Sequence, residues 1–443
     1  MRVAWVFLLA AASARAQTVP DPPPADAPEK WNVYFQATSI GQYHAGFSAP
    51  YSGTFSLADH PEAEASLTTT VFAGYQLAAN TQVYFDPEIA GGRGFSGTNG
   101  IANFPNGEMP RVATATPEPY LARLYLTQDF GFGSGEEHFD SDANQLAGSR
   151  PMTRYSITVG RFSVTDFFDN NRYTHDPRSQ FMGWAIMYNG AWDYPADTRG
   201  YTWGWVHEFH TRHWSLRYAS ALEPRVANGL RFDRQILRDR GDSFEGELRG
   251  NLHRHPGVIR LLNYLNHTNS GTYGKAIELA RETDTTPDVT ATRRPGTLKY
   301  GFGLNVEQEL TKDIGVFARL GWNDGKTESF AFTAIDRLAT GGLSVTGSHW
   351  RRPDDTVATA VTFSGLSAVH REYLALGGLD FLIGDGRLNY GLETVSETYY
   401  CARVVSWLWA TADLQHVTNP AYNRDRGPVW VGSFRLHVEM GKK

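Results

Sequence analysis

Hydrophobic and polar residues alternate with a period of two along most of the chain. In Thr297–Leu310, Leu298, Tyr300, Phe302, Leu304, Val306 and Leu310 share one parity, and Lys299, Gly301, Gly303, Asn305, Glu307 and Glu309 hold the other. Successive strand side chains point to opposite faces, so such a segment has one greasy face and one small, polar face. Ile314, Val316, Ala318, Leu320 and Trp322 repeat the pattern after the short Thr311-Lys312-Asp313 connection, which reads as a hairpin turn. The same alternation runs through Trp31–Tyr43 and Trp430–Met440, and through Glu64–Gln76, Tyr120–Phe130, Arg154–Phe162, Trp214–Ala221 and Ser243–Leu252.

A tally gives about sixteen strands, with connections alternating between short (Leu77–Asn80, Thr211–His213) and long (Gly91–Glu118, Ser163–Gly200, His267–Gly296). Alternation alone fits a soluble sandwich as well as a barrel turned inside out. Aromatic residues cluster at strand ends (Trp31, Tyr43, Tyr75, Phe130, Trp214, Trp322, Trp430), as a membrane-interface girdle requires. Together with the turn asymmetry and an even strand count, this predicts an all-β fold, a transmembrane antiparallel β-barrel with long external loops. A barrel of that size encloses an aqueous lumen.

Composition agrees. Mean hydropathy is only -0.40, yet the chain carries 44 Gly, 12 Trp and 21 Tyr; only alternate residues of such a barrel need be apolar. Met1-Arg2, the apolar run Val3–Ala12 and Ala14-Arg15-Ala16 read as an export signal over residues 1–16. Residues 17–30 are a Pro-rich leader and 31–443 the barrel domain. The single cysteine, Cys401, excludes an internal disulfide, and a net charge of -6 argues against a nucleic-acid partner.

The third long connection, Ser163–Gly200, is dense in charge and in rings: Asp166, Asp169, Asn171, Arg172, His175, Asp176, Arg178, Gln180, Trp184 and Trp192. Fork-shaped donors and acceptors beside flat aromatic surfaces suit a sugar, which offers hydroxyls at its rim and C–H groups on its faces. Two readings stay open from the residues alone: a selective segment in the pore, or a surface loop pinned to the wall by its aromatics. Asp166, Asp169, His175 and Asp176 match no standard metal-ligand spacing, and no metal or cofactor is expected. Asp385, in Gly384-Asp385-Gly386, and Asp354-Asp355 read as turn residues. The sequence carries no G-x-S-x-G, H-E-x-x-H or phosphate-cradling loop, so no enzymatic activity is expected.

Several stretches, in order along the chain, resemble the carbohydrate-selective, OprB-like porins. They are D-A-N-Q-L-A-G at Asp142–Gly148 and V-G-R-F-S-V-T-D-F-F-D-N-N-x-Y-x-H-D-P-R-S-Q-F at Val159–Phe181. Asp193–Gly204, Trp350–Thr356, Gly377–Gly391, Glu397–Tyr400 and Asn419–Val429 complete the set. The resemblance implies a sixteen-stranded barrel in the outer membrane of a Gram-negative bacterium, with loops folded inward and passive diffusion of monosaccharides such as glucose. It favours the pore reading of Ser163–Gly200 and implies lipid, lipopolysaccharide and the barrel-assembly machinery as partners. Monomer and homotrimer are both compatible with it. Alternation adds Arg123, Arg154, Glu307, Arg319, Glu397 and Arg403 as lumen-facing candidates. The alternatives are a porin for other small solutes, such as organic acids, and a secreted carbohydrate-binding β-protein. One departure stands out: the last strand runs on to Gly441-Lys442-Lys443, where such barrels end on an aromatic residue.

Overall fold

The computed structural model describes residues 28–109 and 114–441. The export segment, most of the leader and the last two lysines lie outside the described residues. The sheet opens with β1 (Trp31–His44), β2 (Glu62–Ala78), β3 (Thr81–Gly92) and β4 (Glu118–Gly131). A separate hairpin follows, β5 (Glu136–Phe139) with β6 (Gly148–Pro151). Next come β7 (Arg154–Phe162), β8 (Thr202–His210), β9 (Trp214–Leu222), β10 (Arg240–Leu252), β11 (His255–Ser270) and β12 (Arg294–Glu309). The sheet finishes with β13 (Ile314–Asn323), β14 (Arg337–Gly347), β15 (Arg352–Gly365), β16 (Glu393–Val405), β17 (Leu408–Thr418) and β18 (Val429–Gly441).

All strands except β5 and β6 form one closed antiparallel barrel of sixteen, sealed where β1 pairs with β18. Closure leaves no free strand edge, so the wall's backbone groups pair strand to strand except at bulges. The alternation decides which face is which. On β12, Leu298, Tyr300 and Phe302 stand 44%, 41% and 52% exposed, while Lys299 and Glu307 on the other parity are 2% and 7% exposed. A soluble sandwich has the opposite arrangement, so this outer wall suits lipid. Leu261 lies on the outer face of β11, opposite Leu304 of β12. Leu261→Arg is expected to cost about 2–4 kcal/mol near the bilayer midplane; the check is refolding into lipid vesicles, where an unchanged yield would contradict a lipid-facing wall.

Connections at one end are short. His253-Arg254 joins β10 to β11 with both residues at positive φ (50° and 73°), as a two-residue type I′ turn demands. One connection at this end departs from the short-turn pattern: residues 132–153 carry the β5–β6 hairpin. Arg351-Arg352-Pro353-Asp354-Asp355 also departs from the expected turn. The turn is Ser348–Arg351, with Arg351 at φ 63°, and β15 has already begun at Arg352. Buried Asp355 accepts hydrogen bonds from Arg352, Tyr400 and the Arg403 amide, which fixes that stretch in the wall.

The opposite end carries the long loops. Two hold helices that the alternation does not reveal, α2 (Tyr273–Thr283) and α3 (Ala368–Ala375), packed on each other; α1 (Trp184–Met187) is a single turn inside the lumen. His370 of α3 is fully buried between Asp336 (3.1 Å) and Asp380 (3.2 Å) and stacks on Tyr273 of α2 at 4.2 Å. Burial works against its charge, yet the two carboxylates hold the imidazolium up to about 9. This ion cluster ties the helical cap to the barrel rim. Asp385 is likewise a tie: it accepts from Ser56 (2.5 Å) and from Asn423 (2.9 Å), joining three loops.

Candidate functional site

The connection between β7 and β8, residues 163–201, folds into the barrel instead of over it. Its first turn is set by a capping box, in which Ser163 and Asp166 cap each other's backbone. The Asp166 carboxylate also receives both arms of Arg123 from β4, at 2.7 and 2.6 Å, and Arg123 lies 3.4 Å from Asp86 of β3. The loop then crosses to the far wall, where Asp169 meets Arg319 of β13 (3.1 Å) and Asn305 of β12 (2.7 Å).

Arg319 is wholly buried. Beyond Asp169 it donates to the Ile186 carbonyl (2.8 Å) and the Thr174 carbonyl (2.8 Å), so one wall side chain gathers three parts of the loop. Asn171 donates to Asn305 (2.8 Å), and the Arg172 amide donates to Glu307 (2.6 Å) while its guanidinium reaches Glu309 (3.0 Å). Gln180 accepts from the His175 amide and donates to the Arg172 carbonyl, closing the loop on itself. Asp176 caps the turn at Arg178 (2.9 Å).

The tip reaches the seam of the barrel. Arg178 pairs with Glu88 (2.8 Å) and Glu108 (3.1 Å) and donates to Thr70 (2.9 Å). Arg435 of β18 donates to the carbonyls of Pro177 and Gln180, both at 2.7 Å. Glu397 of β16 accepts from the amides of Met182 (2.5 Å) and Gly183 (2.8 Å). Most of the charged residues singled out in this loop and on the facing strands therefore hold the loop across the lumen. Two lie elsewhere: Arg154 pairs with Glu137 of the β5–β6 hairpin (2.7 Å), and Arg403 pairs with Asp354 (3.1 Å) at the short-turn rim.

What the anchored loop leaves open is narrow and aromatic. Trp184 stacks on Phe104 at 5.0 Å and meets Tyr188 edge-on at 5.7 Å; Tyr194 stands 6.1 Å away. Trp192 is fully buried behind Tyr194 (5.3 Å). Trp184, Tyr188 and Tyr194 line a cavity of only 10 Å3 together with Ser163, Thr165 and Arg199. A chamber of 220 Å3 lies among the long loops, lined by Asn99, Met109, Thr198 and Phe332. A second, of 140 Å3, lies on the strand side of the loop beneath Phe167. The 220 Å3 chamber lies on the long-loop side of the small cavity and the 140 Å3 one on its strand side. Sequence reasoning missed Thr165, Tyr188, Tyr194 and Arg199, and also Phe104, which arrives from the 93–117 connection. Glu393 of β16 holds that connection by accepting from the Ala102 and Asn103 amides. Apart from the aromatic density, no local signal marks these residues.

His175 sits in the loop's interior, edge-on to Tyr188 at 5.1 Å. Burial, reinforced by the Arg319 guanidinium, pushes its imidazole down to about 4. The unfolded chain takes up this proton below about pH 6.5, the folded protein only near 4. Stability from this group is therefore complete above 6.5 and is lost as pH falls from 6.5 to 4, by about 3 kcal/mol in all. Denaturant midpoints in detergent are expected to fall over that window, and His175→Gln to flatten the slope; equal slopes would contradict the assignment. Among the described residues, no group of three or more His, Cys, Asp or Glu side chains is placed to hold a metal ion.

The sequence model described as carbohydrate-selective porin, OprB family, matches residues 58–440. None of the curated proteins matches the chain. Among solved structures, the high-pH structure of Pseudomonas putida OprB is 14% identical, with a TM-score of 0.67 over 92% of this chain and 94% of that one. The low-pH structure of the same protein is 13% identical, covers 92% of each chain and has a TM-score of 0.48. The outer-membrane channel DcaP of Acinetobacter baumannii is 9% identical, with a TM-score of 0.45 over 94% of this chain and all of that one. The first likeness is one of fold.

Proposed function

Since the chain belongs to the carbohydrate-selective OprB porin family and forms an outer-membrane β-barrel, we propose that it is a passive pore for small neutral sugars, glucose among them. The observation that carries this reading is the constriction. We take as the constriction the small cavity within the crossing loop, lined by the buried Trp184, Tyr188 and Tyr194 beside Ser163, Thr165 and Arg199. Flat rings accept a sugar's C–H faces, and hydroxyls and a guanidinium exchange hydrogen bonds with its rim.

Charge supports the same reading. Arg123 is matched by Asp166, Arg161 by Asp197 at 2.7 Å, and Arg199 faces Glu118 at 3.4 Å. A carboxylate solute would meet cations already engaged, whereas a neutral polyol needs only donors and acceptors. Nothing in the site calls for turnover, so transport follows the concentration gradient.

Swelling of proteoliposomes in glucose and in gluconate tests this. Faster swelling in glucose is expected; gluconate swelling as fast or faster would replace the sugar reading with an organic-acid pore.

A further inference from the structure

Residues 132–153 are the one long connection at the short-turn end, and they fold up into the lumen. Asn144 reaches Asp86, well inside β3, at 2.8 Å, and Arg150 donates to Gln82 at 2.7 Å. Between this segment and the wall of β3, β4, β7 and β8 lies the 140 Å3 chamber, with Phe167 of the crossing loop in its lining. We propose that this chamber is a second sugar site, separate from the constriction, which receives a neutral monosaccharide from the short-turn side. The assignment rests on the sugar-pore reading above and extends it.

Size comes first. A water's share of liquid volume is about 30 Å3, so the 140 Å3 chamber takes roughly five waters, room for one face of a hexose ring with the rest toward the lumen.

Its chemistry is divided as a sugar requires. On one side Tyr84 and Tyr125 form a tilted pair at 5.1 Å, and Phe167 meets Tyr125 edge-on at 6.2 Å. On the other stand Asp129, Ser156, Asn144 and Arg150. Asn144 Oδ1 and Arg150 Nε have no hydrogen-bond partner among the described residues and lie just beneath the chamber surface, out of solvent contact. Leaving such groups unmet is costly, and a turn of either side chain toward the chamber would bring it to the ring hydroxyls of a bound sugar.

Charge selects the class of solute. Arg154 is held by Glu137 at 2.7 Å and Arg150 stands 4.0 Å from Asp129, while Glu208, also in the lining, takes Arg217. The cations are matched, so a neutral polyol fits better than a carboxylate. The site also communicates with the constriction: Asn144 holds Asp86, which faces Arg123, which grips Asp166 of the crossing loop.

The test uses the full-length barrel in a planar bilayer, with glucose added to one side at a time. The wild type is expected to show saturable current block from the short-turn side. Asn144→Ala, which removes the spare acceptor, is expected to weaken that block about tenfold. Ser156→Trp, which fills the chamber, is expected to abolish it. Should the tryptophan variant fail to insert, the alanine variant decides alone. Wild-type block from the short-turn side that survives unchanged in the variants overturns the second site and leaves the pore reading intact. Gluconate blocking from this side where glucose does not overturns its preference for neutral solutes. Wild-type protein that glucose neither crosses nor blocks from either side overturns both readings.

Discussion

Arg319→Ala should detach the crossing loop and open the pore. The guanidinium is wholly buried and serves Asp169 together with the carbonyls of Asp169, Thr174 and Ile186. Asn305 and the Asn189 amide remain on the Asp169 carboxylate, but they bring no compensating charge. Removing one partner of a buried ion pair costs about 3–5 kcal/mol, larger than a loop crossing an aqueous lumen readily absorbs. Conductance is therefore expected to rise and the preference for glucose over gluconate to fall, with the barrel still closed. Arg319→Lys is expected to rescue little, since a single ammonium cannot span acceptors on three parts of the loop. Single-channel recording and proteoliposome swelling read the two effects; wild-type conductance and selectivity in the alanine variant would show that the loop does not depend on this anchor.

Glu397→Ala attacks the same loop from β16, three strands along the wall from Arg319. Its carboxyl group accepts from the amides of Met182 and Gly183, just before the turn that presents Trp184. Each buried amide left without an acceptor costs about 1–3 kcal/mol, and the two donors are adjacent. Trp184 is expected to lose its stack on Phe104. The variant should show noisier open-channel current and a lower thermal midpoint in detergent, and Glu397→Gln, which keeps one acceptor oxygen, should lie between it and the wild type. Equal noise and equal midpoints across the three proteins would remove Glu397 from the constriction's support.

The wall was legible because its signal is local. A period of two over ten or more residues fixes both the strand and its faces, and Arg154–Phe162 and Ile314–Asn323 match β7 and β13 to the residue. The crossing loop was legible as a loop and as the dense segment. Its internal arrangement was not, because it is set by contacts between residues far apart in sequence. Asp169 and Arg319 are both visible as charged residues, yet only the closed barrel brings them to 3.1 Å. The 93–117 connection was legible as a long loop, but its place in the lumen was not, for the same reason: its hold on Glu393 is made by backbone amides, which carry no residue signature. The β5–β6 segment was hidden by a rule that is correct elsewhere at that end of the barrel, namely that its connections are short. The helices α2 and α3 are brief, and their buried faces are defined by each other and by the His370 cluster rather than by a long repeat.

The central claim is that the chain is a pore with a sugar-accepting constriction, and single-channel conductance in a planar bilayer tests it most directly. Refolded protein, with its barrel confirmed by circular dichroism, is recorded while glucose is titrated. Discrete open steps with saturable block by glucose, and none by gluconate at equal concentration, are the predicted result. Folded protein that gives no steps, or steps indifferent to every sugar, would contradict the account.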